Sequence, residues 1–219
     1  MAIIGAQPSH SCIRRPIAVF DPRRRFPAEI LTDAEVCRLL DACDDRQPTG
    51  VRNRALIAIL YRGGLRINEA LDLFPKDIDL EAGSIRVLNG KGGRARTLGI
   101  DPAAGAFVER WLEVRSELGM NGTHPVFCTL AGGRMGDAYV RVLLPRLGRK
   151  AGIEKRVHAH GFRHTHAAQL RAEGVDIGII SKQLGHRSIA TTARYLDHIA
   201  PQQVIEAIRQ RTWQPQAVV

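Results

Sequence analysis

Cysteine is scarce and scattered. Cys12, Cys37, Cys43 and Cys128 are the only ones, and no two form a C-x-x-C pair. That spacing excludes a disulfide framework or a zinc ribbon and reads as reduced packing thiols in a cytoplasmic protein. Long apolar runs are also missing. The longest, Ala55 to Tyr61, falls far short of the roughly 20 residues that span a bilayer, so no membrane partner is expected. The N-terminal MAIIGAQPSHSCIRRP is too weakly apolar for a signal peptide, and its Arg pair follows the apolar stretch instead of preceding it. No GxxxxGK[ST] loop is present, which excludes a Walker-type phosphate cradle. No HExxH occurs, and no paired Asp/Glu set suits two-metal phosphoryl chemistry. Acidic side chains are outnumbered, 22 Asp and Glu against 32 Lys and Arg, giving a net charge of +10 and a pI near 10.2. A balance this basic favours a polyanionic partner, because phosphate neutralisation by Lys and Arg is the main sequence-independent source of nucleic-acid affinity.

The 219 residues can bury a stable core as one large domain or two small ones. Residues 1–27 carry Pro8, Pro16, Pro22 and Pro27 with a basic cluster, Arg23, Arg24 and Arg25, and no periodic pattern; they read as an irregular arm or linker. A folded unit is expected over 28–213, with a flexible tail at 214–219. Thr32-Asp-Ala-Glu35 is a capping box that opens a helix to about Ala42. Thr49 or Gly50 precedes a core helix, VRNRALIAILYR, stopped by Gly63-Gly64 and followed by a short helix, INEALDL. Two β-like runs, SIRVLNG and ARTLGI, bracket GKGG and predict a tight hairpin with Lys91 at the turn. Asp101-Pro102 opens a helix to about Leu118, and VFCT reads as a short strand. Further helices are predicted over 137–151, 159–173, 176–184, 188–196 and 201–211. The fold class is mainly α with a small antiparallel β-sheet, α+β.

Phosphate-handling residues concentrate in four places. In GGLRINEAL, Arg66 follows a Gly pair and opens a helix, with Glu69 on the same face at i,i+3. A carboxylate there can orient an Arg fork toward a phosphate, although the segment alone reads better as a surface i,i+3 ion pair. In GKGGRART, Lys91 on a hairpin turn can swing into a site as a proton donor; alone it reads as an exposed lysine. Arg94 and Arg96 beside it are candidate DNA contacts, as are Arg23, Arg24 and Arg25. In HAHGFRHTHAAQL, His160 and Arg163 share a helix face. His160 and His164 stand at i,i+4, a spacing that can hold a metal, but no Glu follows the first His and no Cys pair is nearby, so no metal is assigned. His158, His164 and His166 are left as structural. In LGHRSIATTARYLDH, Gly185 permits a sharp turn before His186, and a helix then carries Tyr195. Together these supply electrophilic clamps, an acid and a nucleophile. The consistent chemistry is metal-free attack by a Tyr oxygen on a phosphodiester.

GLRINEAL, Lys91 in its Gly-rich turn, HGFRHTHA and LGHRSIATTARY resemble the tyrosine recombinases, also called the phage integrase family. The likeness runs from about Leu31 to Ile208, in matching order and spacing. It implies the catalytic-domain fold of that family behind a very short N-terminal extension, with Tyr195 cutting one DNA strand to leave a 3′-phosphotyrosyl link and a 5′-hydroxyl. It further implies that Arg66 and Arg163 bind the non-bridging oxygens, that Lys91 protonates the leaving oxygen, that His160 moves the nucleophile's proton and that His186 bonds the phosphate, with Glu69 in support. No cofactor is implied, since the phosphotyrosyl bond stores the energy of the cleaved one. Double-stranded DNA, a homotetramer on paired sites, and an accessory recombinase or DNA-bending protein are the implied partners, in the cytoplasm near the nucleoid. Most members carry a further helical domain that clamps the far face of the DNA. The basic arm partly replaces it, or the chain is a truncated, inactive recombinase. Two different activities also fit parts of the sequence. VDIGIISKQLGHRSIATTARYL resembles a helix-turn-helix, as in a DNA-binding regulator, and a type IB topoisomerase would use the same nucleophile.

Overall fold

The computed structural model describes residues 29–88, 95–186, 188–196 and 209; the side chains of 194–196 lie outside that description. Helix α1 spans Asp33–Asp41 and opens on the expected capping box: the Glu35 N–H donates to Thr32 Oγ1 at 3.2 Å, and the Thr32 N–H to Glu35 Oε2 at 2.7 Å. Helix α2, Pro48–Arg62, begins earlier than Thr49 or Gly50, because Pro48 at its first position has its φ pre-set for a helix. Gly50 has a different task. A Cβ there would lie 1.7 Å from the Asp44 carbonyl oxygen, so the preceding turn can cross the helix only over a glycine. Every residue from Ala55 through Tyr61 is buried, which makes α2 the central helix. It packs on α4, Pro102–Glu117, and on α6, Ala159–Ala172.

Between α2 and α4 lie α3, Ile67–Leu71, and a three-stranded antiparallel sheet of β1, Ile78–Asp79, β2, Ser84–Val87, and β3, Arg96–Gly99, in that order. The predicted hairpin is β2–β3, with Ile85 opposite Leu98 and Arg86 opposite Thr97. Ile85, Val87 and Leu98 turn into the core and Arg86 faces out, the period-two pattern of a half-covered sheet. Asp101 caps α4 by accepting from the Ala104 N–H at 2.9 Å. VFCT is not a strand. Only an isolated bridge joins Cys128 to Arg134: the Val126 N–H donates to Leu73, and a tight turn returns the chain so that the Thr129 N–H donates to Gly133 and the Met135 N–H to Phe127, a pairing that stops at that single bridge. Helices α5, Asp137–Lys150, α7, Ile177–Leu184, and α8, Ile189–Leu196, match the expected segments. The helix expected over 201–211 (apart from Arg209, which is helical), the hairpin tip with Lys91, the arm at 1–27 and the tail at 214–219 lie outside the described residues.

Most buried apolar side chains form one cluster from Leu31 to Phe162, with Trp111, Phe127 and Phe162 wholly enclosed. A smaller cluster, Ala167, Ile180 and Leu184, seats α7 on α6. That seat brings the C-terminus of α7 against the start of α3, the edge of β3 and the turn after α2.

Candidate active site

Glu69 is the hub of the site. It is only 5% exposed, so the Arg66–Glu69 pair is no surface ion pair. Its carboxylate accepts from the Arg66 guanidinium at 2.6 Å and from the Arg66 backbone N–H at 2.9 Å. It also accepts both Nη groups of Arg96, at 2.9 and 2.7 Å, a bidentate fork reaching over from β3. Burial works to raise the Glu69 pKa. The bonds from Arg96 and from the Arg66 backbone, with the charges beside them, outweigh burial and hold it at about 2. Glu69 is therefore an anion that neutralises part of a cationic cluster and fixes its geometry.

The C-terminus of α7 supplies the rest of that geometry. A helix end leaves its last carbonyls without helical donors. Here Gly185 sits in the left-handed region, φ 64° and ψ 48°. The His186 N–H returns to the Ser181 carbonyl at 3.0 Å and the Gly185 N–H to Lys182, which closes a Schellman turn. The next three carbonyls each receive an arginine. Arg96 Nε donates to Gln183 at 3.4 Å, Arg163 Nη2 to Leu184, and Arg66 Nη2 to Gly185 at 3.4 Å. Arg163, 1% exposed, also gives Nη1 to the Gly64 carbonyl at 2.6 Å. The negative end of a helix dipole thus offsets some of the repulsion among three guanidinium groups. This explains the spelling LGH: Leu184 anchors the helix, Gly185 bends it so that its carbonyls face the arginines, and His186 emerges beside them.

His186 Nδ1 pairs with the Thr192 hydroxyl at 2.8 Å. Thr192 is fully buried on α8, whose start is capped by Ser188 Oγ accepting the Ala190 N–H at 3.1 Å. Thr192 and Tyr195 stand at i,i+3 on that helix, so the bond that holds His186 also orients the helix that carries Tyr195. Burial, then the charges of Arg163, Arg66 and Arg96, push the His186 pKa down to about 4. Although His160 reaches the surface, desolvation and then the charges of Arg163, His158 and Arg66 lower its pKa as well. Both shifts favour the neutral ring. The same two arginines act on both rings, so Arg66, His160, Arg163 and His186 share one electrostatic neighbourhood.

The structure thus brings together Arg66, Glu69, His160, Arg163 and His186 with the helix of Tyr195. The Tyr195 side chain, Lys91, Arg94, Arg23, Arg24 and Arg25 lie outside the described residues. Arg96 is not presented as a surface contact: its side chain is 12% exposed, and its fork is spent on Glu69. His164 stacks edge-on against His160, ring centroids 4.6 Å apart. Among the described residues no group of three or more His, Cys, Asp or Glu is arranged to hold a metal ion. Sequence reasoning missed Thr192 and Gln183. Gln183 lies along β3 like a short strand, its amide accepting the Gly99 N–H at 3.0 Å and donating to the Gly99 carbonyl at 2.8 Å. Its local sequence carries no signal of that pairing.

The chain is similar to known proteins. Over 172 residues the chain is 34% identical to the tyrosine recombinase XerC of Escherichia coli O6:K15:H31 (strain 536 / UPEC), covering 78% of this chain and 56% of XerC. The chain thus spans about half the length of such relatives. The crystal structure of XerA recombinase superposes with a TM-score of 0.74 at 28% identity, covering 86% of this chain and 68% of XerA. XerH site-specific recombinase bound to palindromic difH substrate, in a post-cleavage complex, gives 0.67 at 30% identity over 84% of this chain and 54% of XerH. Residues 29–201, which hold α1 through α8 and every residue gathered around Glu69, match the phage integrase family, and the chain belongs to it.

Proposed function

We propose that this chain is a site-specific DNA recombinase that cuts and rejoins strands through a 3′-phosphotyrosyl intermediate. The observation that carries the reading is the convergence of Arg66 and Arg163 on one helix end beside His160 and His186. Family membership and the DNA-bound XerH relative support it. The Tyr195 oxygen attacks the phosphorus while its proton passes to His160. The bond to the 5′-oxygen breaks, and Lys91 protonates that oxygen as it leaves. Arg66 and Arg163 hold the non-bridging oxygens where charge accumulates; a single preorganised donor of this kind is worth roughly 3–4 kcal/mol. In the tautomer whose Nδ1 accepts from the Thr192 hydroxyl, His186 carries its proton on Nε2 and donates it to the phosphate. Rejoining runs the same steps backward on a 5′-hydroxyl. Bond energy is retained in the phosphotyrosyl link, so no cofactor or metal enters the reaction.

The partner is duplex DNA, to which the net charge of +10 contributes, with Arg23, Arg24, Arg25 and Arg94 as phosphate contacts. A tetramer on paired sites, aided by an accessory recombinase or a DNA-bending protein, and a cytoplasmic, nucleoid-bound location complete the proposal. Because the chain spans about half of its relatives, binding without cleavage is the competing reading. Covalent trapping separates the two. Purified protein is incubated without metal on nicked suicide DNA taken from its own genetic neighbourhood, and products are resolved on SDS gels beside Tyr195→Phe. An adduct made only with Tyr195 is expected. An adduct that persists in the Phe variant assigns the nucleophile elsewhere, and none at all with DNA still bound leaves the binding reading.

A further inference from the structure

We propose that Arg96 is a positioning residue of this site, one that aims Arg66 through Glu69 and seats the end of α7 from which His186 emerges, and that it does not contact DNA. The inference rests on the recombinase reading above and assigns a residue that reading does not use. Three observations carry it. First, both Nη groups of Arg96 are engaged bidentately by Glu69, and Glu69 uses the same two oxygens to hold the Arg66 guanidinium and backbone. The aim of Arg66 therefore depends on a carboxylate whose own orientation is set from β3. Second, Arg96 Nε reaches the Gln183 carbonyl, and Gln183 in turn brackets both backbone groups of Gly99 on the same strand. Strand β3 and helix α7 are thereby locked across two side chains, one from each element. Third, the space is reserved: a Cβ on Gly185 would fall 2.7 Å from Arg96 Cδ and Nε and 2.9 Å from Cζ, so the turn before His186 is built around this guanidinium.

The geometry separates this role from a phosphate contact. A phosphate-binding arginine on a DNA-facing strand keeps its fork for the backbone and is worth about one unit of salt slope. Arg96 has spent its fork inside the protein. Lysine cannot replace it, because a single ammonium cannot span two carboxylate oxygens and reach a carbonyl behind them.

The test measures DNA affinity with its salt dependence and single-turnover cleavage of suicide DNA for Arg96→Gln, Arg96→Lys, Glu69→Gln and the double variant Arg96→Gln/Glu69→Gln. Affinity within about twofold and an unchanged salt slope are expected, with cleavage at saturating DNA slowed by at least about tenfold. Arg96→Lys is expected to stay slow, and the double variant to be no slower than the worse single one, since both act on Arg66 by the same route. A salt slope reduced by about one with normal cleavage at saturation makes Arg96 a DNA contact and overturns the proposal. Recovery by Lys, or losses that multiply in the double variant, overturns it too. NMR titration of the His186 ring supplies a readout independent of cleavage. If the parent chain makes no adduct but Arg96→Lys still perturbs His186 in a folded protein, the recombinase reading fails while the positioning role stands. An unmoved His186 in that variant removes the role.

Discussion

Two nearly buried arginines behave differently, and the contrast defines the site. Arg115, on α4, is 3% exposed and gives Nη2 to the carbonyls of Asn121, His124 and Pro125 at 3.1, 2.9 and 3.1 Å. Arg163, on α6, is 1% exposed and likewise bonds carbonyls, those of Gly64 and Leu184. By burial and partners they look alike. Their company is what differs. Arg115 braces one loop, whereas Arg163 stands beside Arg66 and Arg96, two guanidinium groups that share a single carboxylate. The first is a structural pin. The second belongs to a cluster of three guanidinium groups gathered on one helix end, the arrangement an anion site requires.

The comparison breaks most visibly by removing each arginine in turn. Arg163→Ala is expected to leave buried carbonyls without donors, lowering stability by about 3 kcal/mol, and to cut cleavage per folded molecule by a factor of about a hundred or more. Arg115→Ala is expected to lose similar stability, yet the folded fraction cleaves normally. Urea unfolding and a burst assay that counts active molecules check both; an equal drop in cleavage for the two removes the distinction. Next in size is Gly185→Ala. Its left-handed φ alone costs about 1 kcal/mol, but the added methyl also presses on Arg96. Cleavage should therefore fall further than that loss of stability accounts for, as a thermal melt run beside the suicide-DNA assay will show.

Acid titration sharpens the contrast further. Burial, then the charges of Arg62 and Arg163, depress the His166 pKa to about 4, and His186 is held at about 4 as well. Unfolded histidine titrates near 6.5, so the unfolded chain binds more protons, and the stability these rings contribute is present above pH 6.5 and lost as pH falls to about 4. Glu69, near 2 when folded and 4.5 when unfolded, loses its contribution only between 4.5 and 2. His166→Leu should flatten the upper window and leave the lower one intact. A single transition in both proteins would refute the separation. The smallest effect belongs to the exposed Arg110–Glu113 pair on the outer face of α4. Arg110→Gln should shift neither the melting temperature nor cleavage measurably.

Legibility in the sequence followed the range of the interactions. The capping box at Thr32 and the glycine turn at 185 are announced by residues three to five positions apart, and the β2–β3 hairpin by two β-like runs on either side of one Gly-rich turn. Arg66, Arg163 and His186 were legible through motifs that pack several functional residues into one short stretch. The pairing of Arg96 with Glu69 was not, because the two residues lie on different elements, and a basic residue on a basic hairpin reads from sequence as a phosphate contact. Thr192 and Gln183 were invisible for the same reason: one meets a histidine only after the chain turns, and the other pairs with a strand far back along it. VFCT misled because strand character was present in the residues while its pairing with the chain beyond the turn is limited to one bridge.

The first described residues are fastened one after another. The Arg156 N–H donates to Glu29, Lys155 Nζ to the Ile30 carbonyl at 2.9 Å, and the Leu31 N–H to the Thr165 hydroxyl at 3.0 Å. Thr165 sits on α6 within one turn of Arg163, and Lys155 in the loop that leads into that helix. A pull at Glu29–Leu31 is therefore passed straight to α6, the helix that bears His160 and Arg163, and so to the candidate active site.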